Sequence, residues 1–171
     1  MSRRVFPFLA AVTVFVLDRI TKDLIKTHLS LWDAWTVVPG LLNIVHTENP
    51  GIAFGMLANL DNPWRNVILI GFSLLVLAII SAVLLRMADQ GQLLRMGLAL
   101  VMGGALGNLF DRVVHGTVTD FVELHVGEHY FPAFNVADSA ITVGACLLLL
   151  DMWYSKERKS QPAPIPREAP R

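Results

Sequence analysis

The chain has 171 residues, of which 54% are hydrophobic and only 16% charged, with a mean hydropathy of +0.53. Water-soluble domains carry about 25% charged residues, so this composition argues against one and toward the bilayer. Lys and Arg number 14 and Asp and Glu 14, which removes any global pull toward nucleic acid, and the single Cys146 excludes an internal disulfide framework.

A first apolar segment starts at Val5, runs to Leu17 and weakens toward Ile25, which predicts a helix over about 5–26. Arg3 and Arg4 precede it, as in a cleavable signal peptide. Asp18-Arg19-Ile20-Thr21-Lys22 stands where a small-residue cleavage site would be needed, so the segment is read as a retained span. The loop 27–65 follows. Its stretch WTVVPGLLNIVHTENPGIAFG joins β-formers to two turn signals, Pro39-Gly40 and Asn49-Pro50-Gly51, and predicts short strands. The segment from Val67 to Leu85 contains no charge and anchors a second span over about 66–86. At ~1.5 Å rise per residue such a helix just crosses a bilayer core.

A third span over about 93–114 is interrupted near its ends by Arg95, Asp111 and Arg112. Loop 115–135 includes HVGEHYFPAF, which predicts another short strand or two, and a fourth span covers about 136–154. The Pro-rich, charged stretch 156–171 reads as a disordered cytoplasmic tail behind one membrane domain, 1–155. The expected fold is therefore an all-α polytopic membrane protein: four transmembrane helices and a small extracytoplasmic antiparallel sheet. No repeated pair of broken helices is visible, which weakens an inverted-repeat transporter.

Four spans put both termini on one side, together with Arg86, Arg95, Lys156 and Arg158. The long loops hold almost no Lys or Arg away from the helix ends. The positive-inside rule then places both termini in the cytoplasm and the loops outside.

Ionisable groups at membrane depth cost about 2.5–3.5 kcal/mol each on insertion scales, yet here they gather at the outward helix ends. Asp18, Lys22 and Asp23 close the first helix, Asn108, Asp111 and Arg112 the third, and Asn135 and Asp138 open the fourth, with Asp120 a little beyond the third. Asp18 and Lys22 share a helical face and can neutralise one another. Each residue also has a plainer role. Asp138 suits an N-cap, and Asp120 suits a solvated loop acid, although the alternation in Val118-Thr119-Asp120-Phe121-Val122 draws it toward the bilayer. Asp111 with Arg112 suits an interfacial anchor.

Two acids sharing a dry pocket hold one proton between them. The ionised one can deprotonate a water as it attacks an amide carbonyl, while the protonated one donates toward the carbonyl oxygen or the leaving amine. No metal or other cofactor is expected. His46, His115, His125 and His129 lack ligand spacing, and most of them read as surface loop residues. Cys146 reads as a buried, inert thiol. The Gly-rich VMGGALGN lacks the Lys-Ser/Thr ending of a phosphate loop and reads as a close-packing helix surface. A proton-coupled transporter using Asp18 or Asp138 is the alternative from a different class.

VFVLDRITK (14–22), TENPGIAFG (47–55), GGALGNLFDR (103–112), VTDF (118–121) and FNVADSAITVG (134–144) resemble, in this order and spacing, the bacterial lipoprotein signal peptidase family, signal peptidase II. The resemblance implies an aspartic-type intramembrane endopeptidase of the bacterial inner membrane. Such an enzyme removes the signal peptide from lipidated prolipoproteins, cutting before the diacylglyceryl-modified cysteine. It implies catalytic roles for Asp120 and Asp138, and site-shaping or substrate-binding roles for Asp18, Lys22, Asn49, Gly51, Gly104, Asn108, Arg112, Asn135 and Ala137. It further implies four transmembrane helices with an extracytoplasmic β-cradle and a short periplasmic helix, and inhibition by globomycin-type cyclic peptides. The expected partners are the lipidated substrates and membrane lipids, not nucleic acid, and the expected state is a monomer.

Overall fold

The computed structural model describes residues 5–51, 64–86 and 91–160. Four long helices are present: α1 (Phe6–His28), α2 (Trp64–Arg86), α3 (Gln92–Val114) and α4 (Val136–Ser160). Three of them, α2, α3 and α4, are long and apolar enough to cross a membrane. Helix α1 matches α2 in length but carries Asp18, Arg19, Lys22, Asp23 and Lys26 in its second half. Helix α4 continues to Ser160, into the stretch expected as a tail, and the rest of that expected tail lies outside the described residues. No short helix is found among the described residues of loop 27–65, of which 52–63 lie outside them.

Helix α3 is central and packs against α1, α2 and α4. Its small residues make this possible. A methyl group on Gly97 would strike the Gly144 carbonyl, on Gly103 the Ala11 carbonyl, and on Gly104 the Ala137 carbonyl. The Gly-rich stretch is thus a packing surface that brings backbones together, as its composition predicts. Ala11, Ile80, Leu84 and Met102 form the apolar core where α1, α2 and α3 meet. Large apolar side chains such as Ile68, Leu75 and Ile79 point outward, the distribution a helix needs when its solvent is hydrocarbon.

Between the helices lies a four-stranded antiparallel sheet, β1 (Ala34–Val38), β2 (Leu42–Asn49), β3 (Val118–Val126) and β4 (His129–Tyr130), in that spatial order. The β1–β2 hairpin closes over Pro39-Gly40, where Gly40 takes φ +77, a conformation that costs glycine nothing. Strand β2 pairs with β3 so that Thr47 faces Asp120 and Asn49 faces Val118, with an irregularity between Ile44 and Thr47. The first half of β3, Val118 to Phe121, is buried against the helices.

Two expectations are overturned here. His46 is buried, not a surface residue: its Nδ1 lies 2.8 Å from the Leu29 carbonyl oxygen, and its Nε2 lies 3.5 Å from Glu48. The register of β2 turns it toward the end of α1. Cys146 is exposed on α4, because α4 rests on α3 through Gly144 and leaves its neighbour outside.

Candidate active site

The polar helix ends meet at one level, where α1 and α3 finish, α4 begins and β3 crosses. Asn135 and Asp138 form a reciprocal capping box at the start of α4. The Asp138 N–H donates to Asn135 Oδ1 at 2.9 Å, and the Asn135 N–H donates to Asp138 Oδ2 at 3.2 Å. The helix starts at Val136, so the N-cap is Asn135, and Asp138 keeps its other oxygen for a different partner. That partner is Asn108, whose Nδ2 donates to Asp138 Oδ1 at 2.7 Å.

Asp120 reaches the same place from β3. Asn135 Nδ2 donates to its Oδ1 at 2.7 Å, and Asn49 Nδ2 donates to its Oδ2 at 3.0 Å. Asn49 is held in turn by the turn that follows it. Its Oδ1 accepts the Gly51 N–H at 2.9 Å, across Pro50, which has no N–H to compete. The Gly51 carbonyl accepts Arg112 Nη2 at 3.0 Å, tying this turn to α3.

Asp120 and Asp138 both line one cavity of about 1030 Å³, together with Asn49, Asn108 and Arg112. Away from the acids its walls are apolar: Phe72 and Val76 from α2, Ala105 from α3, Ile141 and Val143 from α4. Asp120 is 3% exposed. Burial, and then the charge of nearby Asp138, push its carboxyl up to about 7, against the pull of the Asn49 and Asn135 donors and the Lys22 charge. Its expected role as a solvated loop acid therefore fails, because the edge of β3 that carries it is folded onto the helices.

A second polar group lies behind the first. Asp18 and Lys22 pair along α1 at 2.8 Å, as their spacing predicts. Lys22 also meets Asp111 at 2.7 Å, and Arg19 meets the other Asp111 oxygen at 2.7 Å. Asp111 is thus not an anchor paired with Arg112; it faces α1, and Arg112 turns to the Gly51 loop. Asp18 Oδ1 accepts the Ala137 N–H at 3.0 Å, satisfying one of the amides left unbonded at the start of α4. Ala137 is fully buried, with Gly107 against its Cβ and Gly104 against its carbonyl. Every candidate residue from the motifs is described, and they all fall within this connected region. Arg19 and Asp111 stood in the converging polar clusters but were not assigned to the site. The available signal was weak: Asp111 lies three residues past Asn108 on one helical face.

Among the described residues no group of His, Cys, Asp and Glu is placed to hold a metal ion. Residues 10–154 match a family model described as signal peptidase (SPase) II. The lipoprotein signal peptidase of Solibacter usitatus (strain Ellin6076) is 43% identical over 148 residues, 86% of this chain and 90% of that protein. That of Pseudomonas aeruginosa (strain UCBPP-PA14) is 44% identical over 147 residues, 85% of this chain and 86% of that one. A solved structure described as a bacterial membrane enzyme superposes with a TM-score of 0.82 at 30% identity, covering 92% of this chain and 93% of its own.

Proposed function

The chain belongs to the signal peptidase II family, and from that premise we propose that Asp120 and Asp138 are the catalytic pair of an aspartic-type endopeptidase. It removes the signal peptide from prolipoproteins during lipoprotein maturation, cutting before the diacylglyceryl-modified cysteine. The observation that carries the assignment is that two acids from different elements open onto one apolar cavity, and that the donors bonded to them are neutral amides.

The chemistry follows from their unequal settings. Asp120 has its proton affinity near neutrality, and in this reading it carries the proton while Asp138 serves as the base. Asp138 takes a proton from water as the water oxygen bonds to the scissile carbonyl carbon, and Asp120 donates its proton to the carbonyl oxygen. Collapse of this intermediate breaks the C–N bond, and the proton on Asp138 passes to the leaving amine, while the carbonyl proton returns to Asp120. The apolar lining excludes bulk water and strengthens each of these interactions.

A substrate whose signal peptide is an apolar helix suits a cavity lined by α2, α3 and α4. The diacylglyceryl chains then stay in the bilayer beside it, and Arg112 and the Gly51 turn flank the cleavage point. In this reading α1 is a fourth span, with Asp18, Arg19 and Lys22 turned inward while Val12, Val16 and Ile20 face lipid. The sheet is the extracytoplasmic cradle, both termini are in the cytoplasm of a bacterial inner membrane, and the active site lies near the outer face. Globomycin-type cyclic peptides would occupy the same cavity in a monomeric enzyme. The transporter alternative finds no support among relatives that are all named as peptidases.

The test is cleavage of a lipidated pre-lipoprotein by purified protein, comparing the natural chain with Asp138→Asn. Loss of cleavage in a folded variant is expected, and normal processing would overturn the assignment.

A further inference from the structure

Asn108 presents its two amide ends to different neighbours. Its Oδ1 accepts Lys22 Nζ at 3.0 Å and Asn135 Nδ2 at 3.3 Å, and its Nδ2 donates to Asp138 Oδ1 at 2.7 Å. A side-chain amide can turn about its last bond and exchange these ends. Only the N–H end supports an ionised carboxylate; the oxygen end would suit a protonated one. Lys22 decides between them, because an ammonium only donates and so requires the oxygen to face it.

The ammonium is itself fully committed. It is completely buried, and its three N–H groups have three acceptors: Asp18 Oδ2 at 2.8 Å, Asp111 Oδ2 at 2.7 Å and Asn108 Oδ1 at 3.0 Å. Asp111 is held from its other side by Arg19 at 2.7 Å, and Arg19 lies over the Phe110 ring at 4.8 Å. A chain of contacts therefore runs from Arg19 through Asp111, Lys22 and Asn108 to Asp138.

Resting on the peptidase reading above, we propose that Asp111, braced by Arg19, is a positioning residue for the reaction: it holds the Lys22 ammonium where it imposes the amide orientation of Asn108, and so keeps Asp138 in its base form. Neither Asp111 nor Arg19 touches the cavity. The other groups around Asp138 are Arg112 from α3, Asp120 from β3, Asn135 at its own helix start, and Asp18 from α1. Of these, Arg112 also feels the Asp111 charge, and Asp18 shares Arg19 and Lys22 with it.

The experiment measures kcat and KM across pH for Asp111→Asn, with Asp138→Asn beside it, on a lipidated pre-lipoprotein in bilayers or detergent. Asp111→Asn is expected to lower kcat about tenfold at neutral pH with KM within about twofold, and to move the acid limb of the rate profile to higher pH while the alkaline limb stays. An acid limb that stays in place, whether or not the rate falls, overturns the inference, since a merely structural residue would lower activity without moving it. If Asp111→Asn does not fold, Arg19→Gln, which keeps both acids and the ammonium, replaces it on the same readout, with a smaller shift of the acid limb expected and an unmoved limb again overturning the inference. An inactive Asp138→Asn with an unmoved limb in the other variants defeats this inference alone. An active Asp138→Asn defeats the catalytic pair itself.

Discussion

Two pairs of carboxylates lie at the same level of this molecule and have opposite characters. Asp18 and Asp111 are fully buried between α1 and α3, and each touches both Arg19 and Lys22. Asp120 and Asp138 face the cavity and are bonded by Asn49, Asn108 and Asn135. Cations compensate the charge of the first pair and leave it chemically silent. Amides orient the second pair without neutralising it, so the acids compete for a proton, and Asp120 is left near the pH at which it can both give and take one. What separates the two pairs is the charge of the nearest donors, not burial.

The largest effect should come from the cavity pair. Asp120→Asn or Asp138→Asn is expected to cut single-turnover cleavage by about 10⁴-fold, the upper range for an acid or base group. Thermal unfolding in detergent should be unchanged or slightly raised, because a poorly compensated buried acid has been removed. The silent pair should behave in reverse. Asp18→Ala leaves Lys22 and Arg19 sharing one carboxylate and orphans the Ala137 N–H, and is expected to cost about 3–5 kcal/mol of stability, read as a lowered unfolding midpoint. If the cavity variants prove the less stable ones, the contrast breaks.

Gly104→Val tests whether the cavity pair depends on helix approach. Its side chain would displace the Ala137 carbonyl and carry Asp138 with it. Strain of about 1–3 kcal/mol should appear as slower cleavage with the sheet intact. Smaller still is Asn49→Ala. That donor lowers the proton affinity of Asp120, so removing it should move the alkaline limb of activity upward from about 7, with a rate loss of about tenfold or less, typical of one hydrogen bond between neutral groups. The gentlest test is stability against pH. Asp120 binds its proton in the folded state up to about 7 but in the unfolded chain only to about 3.8. Its contribution is therefore fully present below the lower value and falls as pH rises between the two, and that slope should flatten in Asp120→Asn.

Much of this was legible along the chain. The uncharged runs marked α2 and α4, and turn signals at Pro39-Gly40 marked the first hairpin, since each depends on neighbouring residues alone. The five motifs held every side chain that hydrogen-bonds to the two carboxyl groups, Asn49, Asn108 and Asn135; the apolar wall from α2 lay outside them. Pairing was less legible. Asp111 lies next to Arg112 in sequence, and proximity suggested a pair; successive helical residues point about 100° apart, and the two face α1 and the Gly51 turn respectively. His46 and Cys146 were misjudged for the same reason, because the side of an element that is covered depends on what packs there.

Composition and spacing by themselves determined that the chain lives in a membrane and that its polar groups gather at one level. Those are properties of hydrocarbon solubility and helical period, which any segment carries with it. Only the tertiary structure decided which acids were given cations and which were given amides. That choice follows from the rotation of α3 against α1 and α4, set by contacts at Gly97, Gly103 and Gly104 too close for any side chain, and such a rotation exists only once the helices are packed.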